Sequence, residues 1–86
     1  MAMSNKGLTK LSEECGELVQ AACKKIAYMD RKHPDGKGNM NARIEEEMAD
    51  VRAACDFVEA KLGLNKKAIQ KRRKMKLKRF NKWDAE

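Results

Sequence analysis

Five carboxylates lie in two short stretches of the sequence whose spacing could support metal chemistry. Glu13, Glu14 and Glu17 form an E-E-x-x-E motif, and about thirty residues later Glu47 and Asp50 form an E-x-x-D motif. Residues three apart project from the same side of a helix, so each stretch can offer a pair of oxygen ligands. Two such helices facing each other would form a cage for a hard divalent cation.

The ligand types indicate which metal such a cage would bind. Di-iron carboxylate bundles use Glu-x-x-His on facing helices, but here Asp50 occupies the matching position and the only histidine, His33, lies in a predicted loop. With oxygen ligands alone, Mg²⁺ is the expected ion and Mn²⁺ its usual substitute. Mg²⁺ held by few carboxylates keeps waters and binds substrate phosphates, an arrangement used in phosphoryl chemistry.

Two amphipathic helices must position these acids. Apolar residues recur at three- and four-residue intervals over about 8–29 and about 42–62, which predicts a helix in each range. The segment 30–41, with Pro34, predicts a connection that turns the chain back, and Asn41 is a plausible N-cap of the second helix. The two helices should therefore pack as an antiparallel hairpin.

The C-terminal segment differs from the rest of the chain in charge. A third helix is predicted over about 66–81, but its apolar stripe is too thin to hold it without contacts to the hairpin or to a partner chain. Residues 1–65 hold ten Lys and Arg against eleven Asp and Glu, whereas residues 66–86 hold ten against two. This basic tail indicates an anionic partner, either a phosphorylated small molecule or a nucleic acid.

The composition indicates a single all-α domain over residues 1–86. One proline and five glycines are few helix breakers. A chain this short has a marginal core, and a hairpin with apolar stripes on both helices leaves part of them exposed, so we expect a homodimer or homotetramer with a four-helix-bundle core. Three cysteines without C-x-x-C spacing, no long apolar segment and no secretory signal favour a cytoplasmic protein without membrane contact.

Glu47 is the acid whose position is most informative. At about 100° per residue it projects between Val58 and Ala54, and Asp50 projects between Ala54 and Phe57, so apolar residues bracket both acids. An ionised carboxylate at the margin of a core needs a cation or several hydrogen-bond donors. From geometry alone, a salt bridge to Lys or Arg and a metal ion are equally good partners.

Two runs around these acids resemble a known family. They are L-S-E-E-C-G-E-L-V-Q-A-A over residues 11–22 and E-E-E-M-A-D-V over residues 45–51. Together they resemble the MazG-like all-α nucleoside triphosphate pyrophosphohydrolases, particularly the short phage and bacterial versions, and the resemblance covers residues 8–62. It implies cleavage of a nucleoside triphosphate to the monophosphate and pyrophosphate by a dimer or tetramer built from four-helix cores.

The resemblance also assigns roles to individual acids. It implies that Mg²⁺ is bound by the acids of the two motifs, which here are Glu14, Glu17, Glu47 and Asp50. Glu13 is then the candidate for orienting or deprotonating the attacking water, with Glu46 as a second candidate.

The sequence departs from the family pattern in three places. The spacing between the two motifs is long, only about seven residues precede Leu8, and the segment 74–80 lacks the Asn that accompanies Lys or Arg in the last helix of many relatives.

Lys76 and Arg79 are the tail residues placed to reach a triphosphate. Phe80 and Trp83 could stack on a base or anchor the helix to the bundle.

Two functions from different classes are compatible with the sequence. The first is a Mg²⁺-dependent pyrophosphohydrolase acting on a nucleoside triphosphate, with a deoxynucleotide as the expected substrate. Phosphoribosyl-ATP pyrophosphatase stays open within this class because the sequence does not identify the base. The second is a small basic helical module that binds nucleic acid or assembles with a partner, and whose carboxylates are structural. The two differ in what the carboxylates do.

Overall fold

The computed structural model describes residues 5–28 and 40–85, which form three α-helices. Their bounds are Leu8–Tyr28 for α1, Met40–Leu62 for α2 and Lys66–Ala85 for α3. The described residues contain no strand, which confirms the all-α fold class. None of the described helices is long and apolar enough to cross a membrane. Met29 and the predicted turn at His33 and Pro34 lie outside the described residues.

Two helix ends differ from the sequence prediction. α2 begins at Met40, so Asn41 lies inside the helix and its prediction as the N-cap is wrong. The physical reason is that Met40 is buried in the core, and this packing extends the helix by two residues. α3 continues past residue 81 to Ala85, because no Gly or Pro interrupts this segment.

α1 and α2 pack against each other as an antiparallel hairpin, as the sequence predicts. Gly7, just before α1, approaches Phe57 in the second half of α2, whereas Glu17 lies beside Glu47 in its first half. This order of contacts requires the helices to run in opposite directions. The buried residues of the hairpin are few and mostly small, namely Ala21, Met40, Glu47, Ala54 and Val58.

Part of the predicted apolar stripe remains on the surface of the hairpin. Val19 and Ile26 of α1 are 61% and 73% exposed, and Met48 and Leu62 of α2 are exposed as well. A small core beside an uncovered apolar surface is typical of a chain that associates with another.

A sharp corner separates α2 from α3. Gly63 has a φ of 64°, and the Leu64 amide donates to the Glu59 carbonyl at 3.1 Å, which is the Schellman arrangement that ends a helix. Asn65 then caps α3, because its Oδ1 atom accepts a hydrogen bond from the Ala68 amide at 2.9 Å. The corner directs α3 away from the hairpin, with which it has very little contact.

Replacing Asn65 with Ala should destabilise the start of α3 by about 1 kcal/mol, since the Ala68 amide loses its acceptor. Because α3 has few tertiary contacts, we expect fraying of α3 and faster amide hydrogen exchange there, without a lower unfolding temperature of the hairpin. Asn81→Ala, inside the same helix, is the matched control. Equal exchange rates in the two variants would contradict the assignment of Asn65 as the cap.

The apolar side chains of α3 are uncovered. Ile69, Leu77 and Phe80 are exposed, and Trp83 is 74% exposed. Phe80 and Trp83 therefore do not anchor α3 to its own hairpin, because α3 has little contact with it. Anchoring to a partner chain stays a prediction. Lys76 lies over the Phe80 ring, with Nζ 5.1 Å from the centroid.

Candidate metal centre

The two acidic motifs meet where α1 faces α2 and bring four carboxylates together. One carboxylate oxygen from each residue lies within 4.8 Å of the others, and the four residues are Glu14, Glu17, Glu47 and Asp50. The E-x-x-E spacing puts two acids on one side of α1, and the E-x-x-D spacing puts two on the facing side of α2. The structure thus brings together all four residues that the sequence predicts as metal ligands. We call them the acid cluster.

Glu47 is the most buried member of the acid cluster. It is 7% exposed and shares the buried side of α2 with Ala54 and Val58. Arg43, one turn earlier, has its Nε atom 3.8 Å from Glu47 Oε1. The other oxygen, Oε2, is buried and has no hydrogen-bond partner among the described residues. The salt bridge therefore occupies one side of the carboxylate and leaves the other side for a cation.

Glu14 is arranged in a similar way on α1. It is half-buried, and its Oε2 atom is also buried without a hydrogen-bond partner in the described part of the chain. Lys10, one turn earlier, provides a favourable charge nearby. A buried carboxylate oxygen without a partner is costly, so two of them in one cluster need an explanation. A divalent cation between the helices would satisfy both.

Burial and the crowding of like charges raise two pKa values in the acid cluster. Desolvation, followed by repulsion from Glu17 and Asp50, raises the pKa of Glu14 above its ordinary value. Desolvation is also the largest cause of the raised pKa of Glu47. The negative charge of Glu17 and hydrogen bonding with its side chain raise this pKa further. The opposing effects of Lys10 and Arg43 do not cancel these shifts. Without a metal, Glu14 and Glu47 therefore keep their protons to a higher pH than an ordinary glutamate does.

The raised pKa of Glu47 predicts how its replacement changes stability with pH. The folded protein keeps a proton on Glu47 that the unfolded chain releases above about pH 4.3, so this stabilisation is complete below that pH and is lost as the pH rises through the raised value. In a chelating buffer, Glu47→Gln should match the wild type at about pH 4 and become more stable than it towards neutral pH. Thermal unfolding at a series of pH values measures the difference.

Saturating Mg²⁺ should reverse this ranking at neutral pH, because a cation that binds the folded state stabilises it and the wild type has all four ligands. Glu45→Gln, which removes an exposed carboxylate from the same helix, is the control and should follow the wild type throughout. A constant difference between Glu47→Gln and the wild type at every pH would contradict the raised pKa.

A shallow, open groove leads to the acid cluster. Its volume is about 360 Å³, and it is lined by Lys10, Glu14, Asp50, Ala53, Ala54 and Phe57. This volume is near the lower end for small-molecule sites, which begin at about 300 Å³. Three of these residues are charged and three are apolar. Because two of the charged residues are acids, an anionic ligand would need a cation between it and the groove.

The other predicted site residues lie outside the acid cluster. Glu13 precedes Glu14, is exposed, and has its Oε1 atom 3.6 Å from the Nζ atom of Lys10, and Glu46 is exposed on α2. Lys76 and Arg79 belong to α3, and no α3 residue lines the groove. Within one chain the structure does not bring these two cations to the acids, because the corner after α2 directs α3 away from the hairpin.

Three residues of the site are absent from the sequence prediction. Lys10 and Arg43 each precede an inner acid by four residues, which is the spacing of an ion pair on one side of a helix. Phe57 follows Asp50 by seven residues, or about two turns, and so lies on the same side of α2. The signal for all three was helical spacing from the acids.

The fold and the acid cluster define an all-helical protein with an oxygen-only candidate site for a divalent cation. No protein-family model, no curated protein and no solved structure matches this chain significantly. The case for its function therefore depends on the chemistry of the site.

Proposed function

We propose that this protein is a Mg²⁺-dependent nucleoside triphosphate pyrophosphohydrolase that releases a nucleoside monophosphate and pyrophosphate. One observation carries the proposal: four carboxylates from two facing helices converge within 4.8 Å, and two of them have a buried oxygen without a hydrogen-bond partner among the described residues. The resemblance of the same two motifs to MazG-like enzymes points to the same reaction.

The donor set of the acid cluster suits Mg²⁺, or Mn²⁺ in its place. Both ions take oxygen ligands, and the cluster contains no Cys or His that would favour zinc or iron. Oxygens on opposite sides of a Mg²⁺ lie about 4.2 Å apart, twice the metal–oxygen distance. Side chains whose oxygens span 4.8 Å need to move only slightly to reach this geometry.

The residues of the chain divide the work of the proposed reaction. Mg²⁺ bound by the acid cluster would hold the triphosphate oxygens and supply positive charge to the leaving pyrophosphate. Glu13, which precedes Glu14, would orient or deprotonate the attacking water. Lys10, which lines the groove, is a cation close enough to Glu14 to affect its pKa and would contact a bound phosphate.

The test of the activity is product analysis. Purified protein is incubated with canonical and modified nucleoside triphosphates in Mg²⁺ or Mn²⁺, and the products are separated by anion-exchange chromatography. We expect equal amounts of monophosphate and pyrophosphate, and no reaction in a chelating buffer. Release of a diphosphate with inorganic phosphate would indicate another reaction, and inertness towards every triphosphate would contradict the proposal.

We also propose that two chains pair their hairpins into a four-helix core, as a homodimer or within a tetramer. The exposed Val19 and Ile26 support this, as does the lack of any large, fully buried side chain among the described residues. In such an assembly Lys76 and Arg79 would act on the groove of a partner chain.

Sedimentation of the wild type should show an oligomer. The double substitution Val19→Glu with Ile26→Glu should dissociate it, whereas Gln20→Glu, at an exposed position, should leave it intact. A monomeric wild type would contradict pairing.

The exposed α3 favours a second candidate function, the binding of a nucleic acid. Five lysines recur along it at three- and four-residue intervals and so share one side of the helix, namely Lys67, Lys71, Lys74, Lys78 and Lys82. Such a row can follow a phosphate backbone, with an affinity that falls steeply as salt increases. Asp50→Asn separates the two candidates, because it should abolish hydrolysis and leave nucleic-acid binding unchanged.

A further inference from the structure

Phe57 lines the groove beside the acid cluster, and only part of its side chain packs against the rest of the hairpin. The residue is half exposed and lines the groove together with Asp50. One edge of the ring packs closely against Gly7. The Nζ atom of Lys61 lies over the ring, 5.4 Å from the centroid. Because Phe57 is half exposed and lines the groove, a flat ligand in the groove has access to the ring.

The distance from the acids to this ring suits a nucleotide. Phe57 follows Asp50 by two turns of α2, which separates their Cα atoms by about 10.5 Å along the helix axis. Ala53 and Ala54 lie between them on the groove surface. Their small side chains leave a low apolar floor. A ligand whose phosphates meet the acids therefore has room for its sugar over the alanines and reaches Phe57 with its base.

We propose that Phe57 is the stacking platform for the nucleobase of the ligand. The inference rests on the proposed function for the position of the phosphates, and it adds the position of the base. Stacking on an aromatic ring uses the flat face that every base has, so it is tolerant of base identity. The site should therefore bind several nucleotides with similar affinity.

Substitution of Phe57 should separate binding from chemistry. Phe57→Leu keeps an apolar side chain against Gly7 but removes the ring, so KM for a nucleoside triphosphate should rise about tenfold or more while kcat changes little. Phe57→Trp keeps a stacking surface and should keep KM near the wild-type value. If Phe57→Leu has the wild-type KM, or if Phe57→Trp shows the same rise as Phe57→Leu, the platform is wrong.

A fluorescence measurement tests the platform without hydrolysis. The chain has one tryptophan, so Phe57→Trp combined with Trp83→Phe moves the only indole to position 57. A nucleoside monophosphate with Mg²⁺ should quench its emission by stacking, whereas tripolyphosphate, which has no base, should bind without this quenching. Equal responses to both compounds, or no response to either, would overturn the proposal.

The platform and the hydrolase fail in different ways. If nucleotides quench the indole at position 57 but no triphosphate yields pyrophosphate, the platform stands and the hydrolase is wrong. If pyrophosphate is released while nucleotides leave the emission unchanged, the hydrolase stands and the base binds elsewhere.

Discussion

Glu17→Gln should abolish Mg²⁺-dependent pyrophosphate release while leaving the helices folded. The amide has the size of the carboxylate but no charge, so the acid cluster loses one ligand. Loss of a residue that only supports a metal ligand already lowers metal affinity or activity about 10- to 100-fold. We expect a larger loss of activity when a ligand itself is replaced. Glu17 is exposed, and its charge raises the pKa of both Glu14 and Glu47, so the substitution should not destabilise the fold.

A pyrophosphate-coupled assay measures the activity of this variant, and far-ultraviolet circular dichroism checks the fold. Asp50→Asn, on the facing helix, should behave in the same way because it removes a ligand from the other pair. Glu45→Gln makes the same chemical change at an exposed position outside the acid cluster and should retain full activity. An active Glu17→Gln variant would show that this acid is not needed for the reaction.

Gly7→Ala should cause the largest loss of stability among single glycine replacements in the described residues. Gly7 has a φ of 86°, which favours glycine, and an added Cβ would lie 2.6 Å from Phe57 Cδ2 and 3.2 Å from Val58 Cγ2. The backbone strain and the overpacking cost about 1–2 and 1–3 kcal/mol respectively. Together they should lower the unfolding temperature by about 10 °C or more.

Two other glycines are matched controls for Gly7. Gly16 lies in α1, and an added Cβ would meet no atom within 4 Å beyond its chain neighbours and the adjacent backbone of its own helix, so Gly16→Ala should stabilise the protein by up to about 1 kcal/mol. Gly63 has a φ of 64° but open space around it, so Gly63→Ala isolates the backbone strain without a clash. Thermal unfolding compares the three. If Gly7→Ala were as stable as Gly63→Ala, the Cβ atom added at position 7 would not clash with Phe57.

Local spacing made the acid cluster predictable from the sequence. Carboxylates three apart share one side of a helix, and Ala54 and Val58, about two and three turns after Glu47, share its side of α2. Once two helices of similar length form a hairpin, these sides have to meet. The fold class and the hairpin follow from these periodicities, whereas the choice of four acids, with Glu13 set apart, came from the resemblance to the MazG-like enzymes.

Other features depend on contacts that no local pattern encodes. The approach of Gly7 to Phe57 joins residues far apart in the sequence and is set by how closely the two helices pack. The direction of α3 depends on one backbone angle at Gly63, and the burial of Met40 decides where α2 begins. Phe80 and Trp83 are exposed and do not pack on the described helices of their own hairpin. Any protein surface that covers them would have to belong to a second chain.

The central claim is that the four acids form a divalent-cation site, and Mn²⁺ binding tests it most directly. Electron paramagnetic resonance detects free Mn²⁺, so the signal can be followed as the ion is added to the full chain. We predict that the wild type suppresses the signal until its site is filled, that Mg²⁺ restores it by competition, and that Asp50→Asn does not suppress it. The metal centre would be contradicted if the Mn²⁺ signal were the same with the wild type as in buffer alone. It would also be contradicted if Asp50→Asn bound Mn²⁺ as well as the wild type.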